Sequence, residues 1–445
     1  MKSLSQLLNL RAGETQLVLT LGFVLFGNAL AQKVSEISSL SKFLIDVGPP
    51  QFLVVLIVSS SVSIFMTMLQ SLLVDRFDRI TLVRSISAIL GVSFMLLRLL
   101  VFLKAPPWLN YGLLYLLSDQ QLIFFPMTFW ILATDLFDMA QGKRLFPLLS
   151  TLGLLGSLTG IAIASLAPLL FINYGIQTDE LLTINVLLYG LIYALIGMKL
   201  HQVKLRKTQK RAETVQETIS EGWNFVREVP AFRYLTIAIL AVVVCEIILE
   251  YRFYVVSGAS IPDTNRYQVF LSLFTLGRTL THLALQSSVV RWLMVNINLK
   301  HLFLIQPLSG LVGTALMLGV PGLGGAIAGL LLQKLPQYSI DETARKSLEG
   351  LVPEERRGRV SLFMDSYLIA GGTILGAMIT GIVILLGEGL GRSGYFYSYL
   401  AIAVVSSLIA IYSVIRMRAV YDNSLLNWRL KRRQRGKSIL DKIDF

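Results

Sequence analysis

The sequence contains very little cysteine and few charged residues. Cys245 is the only cysteine among 445 residues, so no disulfide can form within the chain and no cluster of thiolates can bind a metal. Charged residues make up 15% of the chain and hydrophobic residues 54%, a balance that excludes an ordinary soluble protein. Common enzyme motifs are also absent: there is no Walker-type phosphate loop, no His-Glu-x-x-His and no Gly-x-Ser-x-Gly. We predict a membrane protein that is not an enzyme and has no cofactor or metal.

Apolar segments recur along the whole chain, each close to the roughly 20 residues that cross a bilayer as a helix. We number them span 1 to span 12, and they cover residues 14–37, 53–74, 80–103, 109–134, 146–172, 181–199, 234–256, 267–290, 301–320, 322–342, 360–387 and 394–416. The predicted fold is an all-α polytopic membrane protein with twelve transmembrane helices in two six-helix repeats. Pro307, Pro321 and Pro336 interrupt the second half, so a count of ten or eleven stays open.

The composition changes once, at 200–233, where the chain becomes polar, charged and partly helical by its pattern. This segment separates six spans from six. We therefore predict an N-terminal half at 1–199, a cytoplasmic linker at 200–233, a C-terminal half at 234–416 and a basic cytoplasmic tail at 417–445.

The net charge of +13 comes from cations that alternate by loop. Lys and Arg are concentrated at the N-terminus, in 75–84, 143–144, 199–211, 345–359 and in the tail, whereas the intervening loops are nearly bare. This is the positive-inside pattern, and it predicts that both termini are cytoplasmic. The tail and linker could contact anionic lipid. They lack the aromatic residues of a base-stacking surface, so we expect no nucleic-acid partner.

Glycines are concentrated in spans 5 and 11. Gly153, Gly156 and Gly160 lie in span 5, and Gly372 and Gly376 occupy corresponding positions in span 11. Small residues four apart let helix backbones approach closely in lipid. We therefore predict that these glycines lie at helix contacts, either as static packing or at surfaces that move.

Two features resemble the major facilitator fold, whose halves are related structural repeats. One is the division into six and six spans. The other is SLLVDRFDRITL at 71–82, which is similar to the charged loop between helices 2 and 3 of that superfamily and supplies Asp75, Arg76 and Arg79. The resemblance implies that these charges lock helix ends at the cytoplasmic face, with Asp75 pairing with Arg144. A solvated charged turn is the alternative.

A narrower resemblance is to the nucleotide transporter family, the ATP/ADP translocase-like proteins. It rests on FWILATDLFDMAQGKRLFPLLSTLGLLGSLTG at 129–160 and on TARKSLEGLVPEERRGRVSLFMDSYLIAGGTILGA at 343–377. It adds the following candidate gating residues: Asp135, Asp138, Lys143, Arg144, Arg359 and Asp365. Glu36 and Thr373 replace basic residues of the exchangers, so the substrate stays open.

Polar residues inside the spans are the candidate substrate-binding residues, because a charge in the bilayer costs about 2.5 kcal/mol or more. In the fold that the sequence resembles, helices 1, 4, 7 and 10 line a cavity and helix 8 flanks it. The candidates, in stripes at helical spacing, are Asn28, Gln32, Lys33 and Glu36 in span 1, Asp119 and Gln121 in span 4, Glu246 and Glu250 in span 7, Arg278 and His282 in span 8, and Lys334, Gln337 and Tyr338 in span 10.

Opposite charges among these candidates indicate internal pairs, and Glu246 with Arg278 is the pair that we predict. Lys33, Arg278 and Lys334 would suit an anionic substrate, and His282 could titrate near neutral pH. We predict a monomeric secondary transporter in a bacterial inner membrane or an organelle envelope. It would move an anionic or polar metabolite, such as a nucleotide, by alternating access, and antiport is one mode. A non-transporting scaffold and a facilitator for lipids or amphipathic compounds are the alternatives.

Overall fold

The computed structural model describes the backbone of residues 14–173, 178–200, 215–349, 352, 354–389 and 396–440. Within these ranges, the side chains of 71–76, 139, 172–173, 215–219, 354–355, 388–389 and 423–440 are not described. The described part is almost entirely helical and contains no β-strand.

Every predicted span contains a helix. Spans 1 to 6 correspond to Glu14–Asp46, Pro49–Arg76, Arg79–Phe102, Pro107–Leu122 followed by Phe124–Leu136, Met139–Asn173 and Leu181–Lys199. Spans 7 to 12 correspond to Pro230–Ser260, Thr264–Leu285, Ile305–Gly319, Leu323–Pro336, Leu368–Gly389 and Phe396–Leu440. The predicted all-α membrane fold is confirmed.

Ten helices in the described part are long and apolar enough to cross a membrane. The helices of spans 8 and 10 are not among them. The span 10 helix, which the turn Gln337–Asp341 continues beyond Pro336, is too polar because it contains Gln333, Lys334 and Gln337. Thr264–Leu285 is too polar because it contains Arg266, Arg278 and His282. These two helices carry several of the predicted substrate-binding residues.

Local sequence signals fix several helix ends. Asp78 precedes span 3 and its carboxylate accepts a hydrogen bond from the Thr81 amide at 3.1 Å, which satisfies one of the free donors of the first turn. The loops before spans 2 and 10 turn at Gly48 and Gly322, whose φ angles are 116° and 133°. Only glycine adopts this backbone region without strain.

Three π-helical turns interrupt helices of the second half, at Gln286–Val290, Gln337–Asp341 and Phe363–Tyr367. The second continues span 10 into the helix Glu342–Glu349, and the third joins the helix Glu354–Leu362 to span 11. A π-helical turn widens a helix by one residue and often marks a functional position. Here the turns contain the candidates Gln337, Tyr338 and Asp365.

The described residues form two compact units. Unit 1 comprises those within Met1–Thr214 together with Gly258–Thr279, and unit 2 those within Val215–Ser257 and Leu280–Phe445. In unit 1, span 1 packs against spans 4, 5 and 6, and span 3 packs against span 6. Their core includes the fully buried side chains of Phe94, Phe125, Phe129 and Tyr189.

In unit 2, span 9 packs against spans 10 and 12. The linker contributes an amphipathic helix, Val215–Glu228, which lies against the helix Glu354–Leu362. Phe225 of this helix is buried and packs edge to face on Phe232. The residues 201–214, which belong to the predicted linker, lie outside the described part.

Candidate functional site

Three polar side chains lie together on one face of span 1: Gln32, Lys33 and Glu36. The Glu36 carboxylate accepts a hydrogen bond from the Lys33 ammonium at 2.5 Å and from the Gln32 amide at 2.9 Å. The spacings of three and four residues bring these groups together on a helix. Lys33 and Glu36 stay partly accessible, at 16% and 25% of their side-chain surface. The structure therefore brings together three of the predicted span 1 residues and leaves two of them partly exposed.

Arg278 of span 8 belongs to the same unit and interacts electrostatically with Glu36. Among the described residues, no carboxylate lies within 4.0 Å of its guanidinium, and the side chain is only half-buried. Lys33, Arg278 and Glu36 together carry two positive charges and one negative charge. This cluster, which we call the cationic cluster, has a surplus of positive charge within the spans.

The span 7 and span 10 candidates form a second group inside unit 2. The Lys334 ammonium donates to Glu246 at 2.5 Å and to Glu250 at 3.1 Å, and Gln337 donates to the other oxygen of Glu246 at 2.5 Å. Tyr254 donates to Glu250 at 2.7 Å. We call these residues the carboxylate cluster.

The predicted partner of Glu246 was wrong. Glu246 is paired with Lys334 of span 10, because one turn of span 7 places both glutamates against the span 10 helix. Tyr338 also contacts Lys334 through its ring, with the ammonium 5.9 Å from the ring centre. Lys334 is therefore held by carboxylates, and Arg278 is the better candidate for binding an anion.

Asn28 and Gln121 are fully buried and bonded to a residue that the sequence analysis missed. The Asn28 side chain donates to the main-chain carbonyl of Gln121 at 2.9 Å. The Tyr189 hydroxyl donates to Asn28 Oδ1 at 2.7 Å and accepts from the side-chain amide of Gln121 at 2.9 Å. These three side chains are at most 2% exposed. Their position indicates that they join spans 1, 4 and 6 and are out of reach of a solute. Asp119, in contrast, is only partly buried and accepts a hydrogen bond from Ser59.

His282 lies half-buried in span 8. In the described part, no group of three or more His, Cys, Asp or Glu side chains is arranged to hold a metal ion.

Three candidate gating residues of unit 1 form ion pairs at span ends that are predicted to be cytoplasmic: Arg79, Asp135 and Arg144. Arg79 lies 3.4 Å from Asp135, and Arg144 donates to both oxygens of Glu14 at 2.7 and 2.8 Å. The Asp138 carboxylate accepts from the main-chain N–H of Gln141 at 2.7 Å. Lys143 is exposed. The predicted Asp75 and Arg76 contacts concern side chains outside the described part.

The candidate gating residues of unit 2 also contact opposite charges. Asp365 accepts from Arg345 at 3.1 Å and from Lys346, and Arg359 pairs with Glu221 of the linker helix. Burial alone would lower the pKa of Arg345, but the carboxylates of Asp341 and Asp365 raise it above its usual value. Arg345 therefore stays charged in this network.

The sequence analysis also missed an ion pair at the other end of unit 1. Lys42, which is 5% exposed, pairs with Asp179 and lies over the Tyr111 ring at 5.4 Å. No local pattern indicates this pair, since its members are 137 residues apart.

The glycines of span 5 lie against span 1. A Cβ atom at Gly160 would lie 2.6 Å from the Leu30 carbonyl oxygen, and one at Gly156 would overlap the backbone of Phe26. At Gly153 the nearest atom would belong to the Leu25 side chain, at 3.0 Å. Gly372 and Gly376 of span 11 meet side chains of span 7, with Val243 and Ile247 at 3.0 Å. The backbones of spans 1 and 5 are therefore closer than side chains would allow.

We expect Gly156→Ile to lower the free energy of unfolding by about 3 kcal/mol, the upper part of the usual cost of overpacking. The neighbouring atom is a backbone oxygen, which cannot move without the helix. Thermal unfolding of purified protein measures the effect, and Leu155→Ile is the control because Leu155 is 47% exposed. Gly372→Ile should cost less, since the Val243 side chain can yield. If the protein tolerated Gly156→Ile, Gly372→Ile and Leu155→Ile equally well, the proposed packing role of the glycines would be contradicted.

Comparisons with known proteins show the fold. No family model matches the sequence, and no curated protein matches it. The nucleoside transporter NupG aligns with a TM-score of 0.64 at 13% identity over 91% of this chain and 99% of its own. A POT family transporter in complex with a thioalcohol-conjugated peptide aligns with a TM-score of 0.62 at 12% identity, over 90% and 96%.

A bacterial homologue of the human lysosomal transporter Spinster aligns with a TM-score of 0.54 at 13% identity, over 93% of this chain and 97% of its own. All three are transporters of the major facilitator type. Identities this low establish a common fold and leave the substrate unassigned. The predicted facilitator-like fold is confirmed, and the relation to the nucleotide transporter family stays a prediction. The chain is thus an integral membrane protein with the major facilitator fold.

Proposed function

We propose that the chain is a secondary active transporter that moves a polar metabolite with an anionic group by alternating access. The observation that carries this proposal is Arg278, a guanidinium within span 8 with no carboxylate in contact among the described residues. Ionisable residues inside membrane spans are costly and are usually retained for function. A fold found in transporters makes substrate binding the function that fits best.

The charge balance of the cationic cluster supports an anionic substrate. Glu36 compensates one of two positive charges, and it is already bonded to Lys33. A phosphate or carboxylate would compensate the other, and the planar guanidinium of Arg278 can bind either group with two parallel hydrogen bonds. The carboxylate cluster does not compete for such an anion, since Glu246 and Glu250 already surround Lys334.

The site and the similar structures together support three candidate classes of substrate. The similar structures include a nucleoside transporter and peptide transporters, and two segments of the sequence resemble the nucleotide transporters. We therefore propose nucleotides, sugar phosphates and carboxylates as candidate substrates, with antiport as one mode. We also propose a monomer in a bacterial inner membrane or organelle envelope, with both termini cytoplasmic and no nucleic-acid partner.

A ligand screen on purified protein tests the proposal. Nucleotides, sugar phosphates, carboxylates and lysolipids should each be added, and thermal unfolding recorded. A ligand present at about 100 times its Kd stabilises a protein by about 2.7 kcal/mol, which a melting curve resolves. Stabilisation by lysolipids alone would favour the lipid facilitator, and no stabilisation by any compound would favour the scaffold.

The distribution of cations also predicts the orientation. Reporter fusions at Leu205 and Gly350 should read as cytoplasmic, and a fusion at Asp263 should read as external, because positively charged loops stay on the cytoplasmic side. A cytoplasmic signal at Asp263 would contradict the twelve-span topology.

A further inference from the structure

We propose that unit 1 has a binding site for one anionic phospholipid on the exposed surface of spans 3 and 6, where the Arg84 guanidinium binds the lipid phosphate. The site uses none of the residues of the cationic cluster, and it does not depend on which metabolite the protein moves.

Span 3 contains three arginines, and two of them are paired. Arg79 lies 3.4 Å from Asp135, and Arg98 lies 2.6 Å from Glu180. Among the described residues, no carboxylate lies within 4.0 Å of Arg84, and its buried Nε has no hydrogen-bond partner. A charge at the edge of a membrane span is costly when nothing compensates it. Arg84 therefore has a charge that an anion from outside the chain can compensate.

Span 6 holds the Arg84 guanidinium in place. The guanidinium stacks over the Tyr193 ring, with its central carbon 4.3 Å from the ring centre. Gly197, one turn further along the same helix, leaves space for it, since a Cβ atom at Gly197 would lie 2.9 Å from the central carbon and from Nη2. Stacking orients the plane of a guanidinium, and its edge can then bind a phosphate with two parallel hydrogen bonds. The packing of spans 3 and 6 thus prepares Arg84 for an anion.

Arg84 lies near the level of the lipid headgroups. The helix of span 3 begins at Arg79, so Arg84 is about 7.5 Å along it from the first residue. Span 6 ends at Lys199, which is exposed and has no carboxylate within 4.0 Å in the described part. The cation distribution predicts that both ends are cytoplasmic. Long cationic side chains near a helix end extend to the membrane surface, where the lipid phosphates lie.

The surface of spans 3 and 6 beyond Arg84 is apolar. Its side chains that are more than half exposed include Ile89, Val92, Leu187 and Leu191. In an integral membrane protein, exposed apolar side chains of this kind contact acyl chains. The ligand that fits is therefore amphipathic, with an anionic phosphate at Arg84 and acyl chains along the apolar residues. A free phosphate would use only the first of these two surfaces.

Native mass spectrometry of the full chain in detergent tests the site, with dioleoylphosphatidylglycerol as the probe and dioleoylphosphatidylcholine as the comparison. The delipidated wild type should bind the first molecule of phosphatidylglycerol more tightly than phosphatidylcholine. Arg84→Gln should lower the affinity for phosphatidylglycerol at least about tenfold, the effect expected when hydrogen bonds between charged groups are lost.

Gly197→Leu tests the same site without removing the charge. The new side chain would displace the guanidinium from the Tyr193 ring, so the affinity for phosphatidylglycerol should fall as in Arg84→Gln. The displaced group is the far end of a flexible side chain, so this variant should keep its fold, which a melting curve checks.

Gly190→Leu and Lys104→Gln are the matched controls. Gly190 lies about two helical turns before Gly197 on span 6, and a Cβ atom there would meet nothing within 4 Å. Lys104 is an exposed cation beyond the other end of span 3, so Lys104→Gln removes the same charge at a distance from the site. Both variants should bind phosphatidylglycerol as the wild type does.

Wild-type affinity for phosphatidylglycerol in Arg84→Gln or in Gly197→Leu would overturn the site, and so would an equal loss of affinity in Lys104→Gln. Displacement of the lipid by the same concentration of glycerol 3-phosphate would overturn the lipid as ligand in favour of a soluble phosphate. Because no transported compound is added, failure here is distinct from failure of the ligand screen.

Discussion

Arg278→Gln should reduce uptake of the compound that stabilises the wild-type protein at least about tenfold when that compound is present below its saturating concentration. Hydrogen bonds to charged groups contribute about 1.5–3 kcal/mol, which corresponds to a loss of affinity of at least about tenfold. Glutamine keeps much of the side-chain length but removes the charge and the paired donors. Uptake into proteoliposomes measures the effect, with the amount of folded protein determined in parallel.

Arg266→Gln is the control for this experiment. Arg266 lies in the same helix but is exposed near its first residue, so uptake should be unchanged. Lys33→Gln should also reduce uptake. Unlike Arg278→Gln, it should lower the stability of the protein as well, because Glu36 would lose its closest cation. Normal uptake by Arg278→Gln would refute the anion-binding role of the cationic cluster.

Lys334→Gln should mainly destabilise the protein. It would remove the only cation in contact with Glu246 among the described residues and leave that carboxylate, which is 6% exposed, with Gln337 alone. Breaking a buried ion pair from one side typically costs about 3–5 kcal/mol. We therefore expect a large drop in melting temperature and low yield, and not the selective loss of uptake that would be expected if Lys334 bound an anionic substrate.

A second substitution distinguishes this explanation from a direct role in binding. Glu246→Gln in the Lys334→Gln background removes the unpaired carboxylate, so it should restore most of the lost stability while uptake stays impaired. If the double variant is as unstable as Lys334→Gln, the cost does not arise from an isolated charge on Glu246.

The sequence was sufficient to predict the helices, because the number of apolar residues needed to cross a bilayer is set by its thickness. It was also sufficient to identify the charged residues inside the spans, since a charge is easily recognised within an apolar segment. These residues include Lys33, Glu36, Glu246, Glu250 and Lys334. Periodicity could even place Gln32, Lys33 and Glu36 on one face of span 1.

The partners of these residues could not be predicted. Lys334 and Glu246 are 88 residues apart, and Asn28 and Tyr189 are 161 apart. Pairing over such distances depends on which helices pack together, and a single sequence contains no local signal for it. The same reason explains why Tyr189 was missed: a tyrosine in an apolar span has no charge to mark it.

The polar residues within the helices of spans 8 and 10 have a consequence for biogenesis. An arginine or lysine at the middle of a helix opposes its release from the translocon into lipid by about 2.5–3.5 kcal/mol. These helices would enter the membrane only with neighbours already in place, so Lys334 would need Glu246 of span 7 beside it during insertion. Substitutions in span 7 would then expose span 10 to quality-control proteases before any substrate is bound.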